Sequence, residues 1–405
     1  MQAKAARIVV VGAGQAGASL VARLRALGHT GPLTLVGAEP HLPYQRPPLS
    51  KGYLKGEMAL ERLFLRPPSF FEAENIALLT GTPATAIDRA ARTLTLADAR
   101  TLPYDLLALT TGSTPRRLPA AIGGDLEGVL LMRALADADA LSATLAGRER
   151  ALIVGGGYIG LEAAAVLRQK GLAVTLIEAA PRILARVAAP ETASYFNDLH
   201  ARHGVKIREG VTLARLTGEA RVTGALLATG EELAADLVLT GIGIAPETTL
   251  AAAAGLAIDN GIATDAQGRT SDPSIFAAGD AASFPWNGRR LRLESVPNAI
   301  DHAEATAAAM LGDPAPYVPR PWFWSDQYDV KLQIAGLNAG WDRTTVRPGP
   351  RPGSQSVWYW QGPRLLAVDA MNDPRAYMTA KRWIEAGHSP DPAAVADPAT
   401  DLKTL

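Results

Sequence analysis

The chain has no cysteine among its 405 residues. That absence removes structural disulfides, thiolate-held metal clusters and the redox-active pair through which disulfide and peroxide reductases work. An excess of charge is lacking too: Lys plus Arg equals Asp plus Glu at 40 each, which gives no electrostatic case for nucleic acid as a partner. No apolar run approaches the roughly 20 residues that span a bilayer, so no membrane partner is expected. Lys4 and Arg7 precede a short apolar run that reads as a strand rather than a signal peptide, and a cytoplasmic location is expected. Histidine is scarce: His29, His41, His200, His203, His302 and His388. His200 and His203 have helical spacing, but no acidic residue reads as a further ligand, so surface or capping roles are expected and no metal.

Against these absences stand two glycine fingerprints. Gly12-Ala13-Gly14-Gln15-Ala16-Gly17 follows the apolar run Ile8 to Val11, and Gly155-Gly156-Gly157-Tyr158-Ile159-Gly160 follows Ile153-Val154. At such a point the chain must turn sharply, admit a pyrophosphate to its amides and pack the next helix against the strand, which glycine permits. Each copy is followed by a helical stretch, Ala18 to Leu27 and Leu161 to Lys170. Each is also followed by a strand ending in an acid, Glu39 and Glu178, about 20 residues on or slightly beyond, placed to accept from a ribose hydroxyl. Two dinucleotides are implied.

The fold class read from this pattern is α/β: two Rossmann-like dinucleotide-binding domains, one inserted in the other, plus a C-terminal α+β domain. The expected domains are residues 1–113 with 242–319, residues 114–241, and residues 320–405. In the first, prolines in His41 to Lys51 exclude a regular helix and favour an extended path. Ile76 to Thr80 reads as a strand. Ala91 to Leu96 and Tyr104 to Thr110 read as a hairpin feeding a buried strand that ends at Thr111-Gly112. The second domain holds helix 190–203, a β segment over 205–227 and strand 236–240. A helix is expected over 297–311. Six of the seven tryptophans lie beyond residue 320, where strands are expected near 330–337, 343–347, 355–360 and 364–370, followed by a helix over 374–386. The tail beyond Pro390, rich in proline and aspartate, reads as a mobile or loosely docked arm.

Several further stretches carry a family resemblance: Pro43-Tyr44-Gln45-Arg46-Pro47-Pro48-Leu49-Ser50-Lys51, Gly155 to Glu162, Gly241-Ile242-Gly243, Thr270 to Asp280, Glu294-Ser295-Val296-Pro297-Asn298-Ala299 and Pro321-Trp322-Phe323-Trp324-Ser325-Asp326-Gln327-Tyr328. Over almost its whole length the chain resembles the FAD-containing, NADH-dependent ferredoxin reductases of bacterial oxygenase systems, of the putidaredoxin reductase and biphenyl dioxygenase reductase type. The resemblance implies that Gly12, Gly14, Ala16 and Gly17 approach the FAD pyrophosphate. Glu39 or the Ala38 backbone would meet the adenosine ribose, Ala84 the adenine, and Arg133 the adenosine half. Asp280 would serve the ribityl chain or the phosphates, and the Val296 backbone the flavin carbonyl edge. Pro47 would pack on the flavin, with Arg46, Thr111, Gly112 and Gly243 completing the cofactor set.

The second fingerprint, Gly155, Gly157, Tyr158, Ile159 and Gly160, would take the nicotinamide cofactor. Glu178 at the strand end favours NADH over NADPH, although Arg182 offers a cation that could tolerate a 2′-phosphate. Hydride transfer requires the two rings to stack at roughly 3 to 3.5 Å, so the protein supplies alignment and charge. The resemblance places Lys51, paired with Glu162 from the first turn of the second fingerprint helix, beside the flavin, with Trp324 at its edge. The implied activity passes electrons from NADH through FAD to a two-iron ferredoxin serving a haem-thiolate or ring-hydroxylating oxygenase. Arg289, Arg290 and Arg292 would give a basic rim for an acidic partner. Alternatives are an NADH-sensing flavoprotein that acts by binding, a flavin monooxygenase, and a rubredoxin reductase.

Overall fold

The computed structural model describes residues 3–405. The chain divides into two units, one comprising residues up to Gln45, Leu60–Thr114 and Ile244–Pro321, the other Arg46–Ala59, Pro115–Gly243 and Trp322–Leu405.

In the first unit the apolar runs become a five-stranded parallel sheet. Its order is Ile275–Ala277, Leu106–Leu109, Ile8–Val11, Leu33–Val36, Ile76–Leu79. Strands covered on both faces read as continuous apolar runs, and Val10, Leu35 and Leu109 are fully buried. The first fingerprint helix, Gln15–Ala26, shares a core with the helix Val296–Met310. The expected hairpin is a three-stranded antiparallel sheet, Ala84–Asp88, Thr93–Leu96 and Thr101–Pro103. Leu106–Leu109 leaves it for the parallel sheet.

The second unit repeats the plan in the order Lys206–Glu209, Ala173–Glu178, Arg150–Val154, Leu237–Thr240, Val129–Leu130, again parallel. The fingerprint helix is Tyr158–Gln169. The same unit contains a five-stranded antiparallel sheet, ordered Trp322–Gln327, Val330–Gly336, Arg364–Met371, Gln355–Gln361, Arg343–Pro348. Helix Pro374–Ala386 packs on this sheet over a core of Trp358, Trp360 and Val368.

Several expectations about the path of the chain differ from the structure; the second arm of the hairpin, for one, is Thr101–Pro103 rather than 104–110. Pro47–Ser50 forms a 3₁₀ turn followed by the short helix Gly52–Lys55, not an extended path, because proline is well suited to the first position of a turn. This segment, expected with the first fingerprint, groups with the second unit, where Tyr53 donates to Asp139 at 2.7 Å. The tail is docked: Pro392–Ala396 is a helix, Val395 and Leu402 are buried, and the Arg347 guanidinium donates to the carbonyls of Val395, Asp397 and Thr400 at 2.9, 2.6 and 2.7 Å.

Candidate functional site

In both fingerprints the glycines fall into two kinds. At Gly12, with φ +111°, an added Cβ would lie 2.2 Å from the Thr110 carbonyl oxygen; at Gly17 it would lie 2.0 Å from the Gly12 oxygen. Gly155 and Gly160 are equally tight, 2.4 Å from the Gly241 oxygen and 2.1 Å from the Gly155 oxygen. These positions close the turn and seat the helix. Gly14 and Gly157 meet nothing within 4 Å. A Cβ is absent there although the fold has room for one, which fits a backbone cradle kept open at a helix N-terminus for a pyrophosphate.

The first unit holds most of the residues expected at one of the two dinucleotides. The Thr110 hydroxyl is placed to donate to the carbonyls of Val11 and Gly12, at 3.0 and 2.9 Å, fixing the turn. Glu39 accepts from the Tyr44 hydroxyl at 2.5 Å, and Ala38 beside it is exposed. Thr111 donates to the Glu247 carbonyl at 2.6 Å, and Gly112 takes φ +73°. Ala84 sits half-buried at the start of its strand. Ala16 faces inward: a Cβ at Gly279 would lie 2.9 Å from its methyl. Asp280 lies on the turn Gly279–Ala281 and accepts from the Ser113 hydroxyl at 3.2 Å. Ser295 caps the helix that Val296 begins, accepting from Asn298 N at 3.3 Å.

Arg290 and Arg292 are engaged within the fold, Arg290 with the Thr264 carbonyl at 2.8 Å and Arg292 with Glu294 at 2.5 Å. Of the expected basic rim, Arg289 alone is exposed.

The second unit holds the remaining candidates. Glu178 accepts from Gly156 N at 2.6 Å and Ala180 N at 2.7 Å, which pins the strand end to the glycine turn. The Arg182 guanidinium donates to the carbonyls of Ala188 (2.7 Å), Ile183 and Ala185 (both 3.4 Å). Ile159 is exposed, and Gly243 takes φ +101°. Arg46 donates to the Arg133 carbonyl at 2.9 Å. Tyr158 packs its ring against Phe323 at 4.9 Å, while Trp324, half-buried on an edge strand, stacks on Trp322 at 5.5 Å.

Glu162 is buried and lies in the second turn of its helix, one turn later than expected. Its Oε2 accepts from Lys51 Nζ at 2.7 Å and from Ser50 Oγ at 2.8 Å; its Oε1 accepts from Ser325 Oγ at 2.8 Å. Lys51 Nζ also reaches the Pro47 carbonyl at 3.3 Å. A buried carboxylate is tolerable when it is paired and hydrogen-bonded in this way. The pairing of Lys51 with Glu162 was expected; Ser50 and Ser325 were not singled out, although both lie in stretches that carry the resemblance.

His200 is fully buried, not a surface residue: its Nε2 lies 2.8 Å from Gln327 Oε1, and burial pushes its pKa down to about 4. A separate buried cluster joins Asp369 to Tyr359 and to Thr192, whose hydroxyl donates at 2.8 Å. Burial raises the Asp369 pKa to about 6, and its Oδ1 finds no hydrogen-bond partner among the described residues.

A doubled parallel-sheet nucleotide fold with a five-stranded antiparallel sheet defines a two-dinucleotide oxidoreductase. Residues 6–303 match the pyridine nucleotide-disulphide oxidoreductase family, and residues 322–405 match the reductase C-terminal family. A ferredoxin–NAD(P)(+) reductase of a Sphingomonas species is 44% identical over 403 residues, covering 98% of this chain and 97% of the relative. Putidaredoxin reductase of Pseudomonas putida is 42% identical over 409 residues, covering 98% and 96%. The solved ferredoxin reductase for the CYP199A2 system of Rhodopseudomonas palustris is 40% identical, with TM-score 0.95 over 98% of this chain and 99% of that one. The chain belongs to the FAD-dependent ferredoxin reductase family of bacterial oxygenase systems. Lacking cysteine, it cannot carry out the thiol chemistry in the broader family's name.

Proposed function

We propose that this protein is an NADH:ferredoxin oxidoreductase whose ferredoxin supplies an oxygenase. The observation that carries this reading is the pair of half-buried Lys51 and buried Glu162, the latter on the helix that follows the second open glycine cradle. Bound FAD would supply the chemistry that links a two-electron hydride donor to a one-electron acceptor.

The chain's own residues do the rest. Gly14 leaves the first cradle open to the FAD pyrophosphate, and Gly157 leaves the second open to that of NADH. Lys51 would hold a positive charge where negative charge develops during reduction, and Glu162 fixes where that charge sits. Pro47 and Trp324 supply apolar and aromatic surface to the ring, and Asp280 and the helix start at Val296 serve its polar edges. We assign Ala38, Glu39, Ala84 and Arg133 to the adenosine half. Ala16 serves through its backbone, since its methyl is packed inward.

NADH is the preferred donor. The Glu178 carboxylate at the strand end repels a 2′-phosphate, and Arg182, committed to three backbone carbonyls, is not placed to offset it. A two-iron ferredoxin is the acceptor, and the cytoplasm is the compartment we assign. No helix among the described residues is long and apolar enough to cross a membrane.

The test is to supply purified flavoprotein with NADH and a panel of two-iron ferredoxins, reading electron flow through cytochrome c. Rapid ferredoxin-dependent reduction is expected. A long-lived reduced complex with negligible turnover would indicate a sensor instead. Turnover with rubredoxin alone would change the acceptor, and NADH oxidation stimulated by an organic substrate without ferredoxin would indicate a monooxygenase.

A further inference from the structure

The groups behind Glu162 can be oriented one after another, starting from the carboxylate. Paired with Lys51, Glu162 only accepts, so Ser325 must donate its hydroxyl proton to Oε1 at 2.8 Å. Ser325 Oγ then accepts from Gln327 Nε2 at 3.2 Å, which turns the Gln327 carbonyl toward His200. That carbonyl requires a proton on His200 Nε2, 2.8 Å away. A neutral ring then leaves Nδ1 as the acceptor facing the Tyr328 hydroxyl at 3.4 Å. The opposite amide orientation of Gln327 would draw the Ser325 proton away and leave Oε1 without its donor.

We propose that His200, Gln327 and Ser325 form a one-way chain of hydrogen-bond donors, begun by Tyr328, that positions Glu162 and through it Lys51 for flavin reduction. Every donation runs toward the carboxylate, so the dipoles reinforce one another in a buried, low-dielectric setting. Ser325 and Gln327 are both fully buried, as is His200. The groups facing the imidazole suit a neutral ring: His203, which stacks on Tyr328 at 3.6 Å, brings no carboxylate to support an imidazolium, and burial already favours the neutral form. Gln327 also interrupts any proton relay, because an amide does not readily pass on the proton it receives. These are positioning residues, and their role rests on the reading of Lys51 and Glu162 given above.

The test combines histidine ¹⁵N NMR with rapid-reaction reduction of the holoprotein. In the wild type, His200 is expected as the neutral Nε2–H tautomer at pH 7; the Nδ1–H tautomer would overturn the chain. Gln327→Glu keeps the acceptor for His200 but loses the donor to Ser325. His200 should then become doubly protonated while flavin reduction at saturating NADH slows by about tenfold, the scale of a hydrogen bond lost to a charged group. A merely structural glutamine would not move both ends in this way. Ser325→Ala should show the same slowing with FAD content and NADH affinity retained, and a wild-type rate there would overturn the proposal. A slow Glu162→Gln beside a normal Ser325→Ala would remove the chain alone; a normal Glu162→Gln would remove the underlying site reading and the proposal with it.

Discussion

Single side chains separate folding from binding most sharply in the glycine turns. Gly12→Ala places a methyl 2.2 Å from a backbone oxygen at φ +111°. It should cost about 3 kcal/mol or more and show as lost soluble protein or a depressed melting temperature. Gly14→Ala meets open space, so the chain should fold normally but retain FAD at least about tenfold more weakly, read by flavin absorbance after dialysis. Equal effects of the two changes would refute the division. Lys51→Ala and Glu162→Ala should leave FAD bound while slowing its reduction by NADH about tenfold or more, measured by stopped-flow absorbance. Glu178→Ala is expected to narrow the NADH over NADPH preference in kcat/KM. Because Glu178 also holds Gly156 N, some loss of NADH affinity should accompany it. The fingerprints and both strand-end acids were legible because each is a fixed residue type in a local pattern, whereas the pairing of Lys51 with Glu162, 111 residues apart, was implied only by the family resemblance. Ser50, Ser325 and Gln327 were not legible, because a polar side chain joins the Glu162 cluster only when the fold buries it against a particular partner.

Among elements, the parallel strands declare themselves as short, fully apolar runs, and the helices begin within a few residues of their glycine or serine signals. The expected helix Pro374–Ala386 matches its observed span, with Asp373 capping it by accepting from Ala376 N at 3.0 Å. The aromatic run Trp322–Gln327 has no alternation that marks a strand; pairing with Val330–Gly336 makes it the edge strand that carries Trp324. The tail has the composition of a disordered arm, yet Arg347, distant in sequence, supplies donors for its carbonyls and docks it. Arg347→Met should release it, detected as new proteolytic cleavage beyond residue 390 and faster amide exchange in Pro392–Ala396. Unchanged protection would show that Val395 and Leu402 suffice.

For the whole molecule, the buried titratable groups set the acid stability. His200 and His302 are held near pKa 4 and 3 by burial, below the ordinary histidine value near 6.5. As pH falls below about 6.5 the unfolded chain takes up protons that these folded imidazoles refuse. Each therefore removes about 1.4 kcal/mol of stability per pH unit until its folded pKa is reached. Asp369, raised to about 6, acts oppositely: the folded state binds a proton that the unfolded chain releases above about pH 4. Its contribution is present in acid and lost as pH rises through 6. Melting temperature should thus fall between pH 6.5 and 4, and Asp369→Asn should steepen that fall; parallel curves for the two proteins would refute the assignment.

The sequence by itself pointed to two dinucleotides and to two glycine turns for them, and excluded thiol chemistry, since those readings follow from glycine spacing, strand-end acids and the missing sulfur. Only the tertiary structure decided which polar groups surround Glu162, that Arg182 is committed to loop carbonyls, and that the tail is docked. Those outcomes depend on contacts between residues remote in sequence, whose hydrogen bonds acquire their strength from burial that no local pattern specifies.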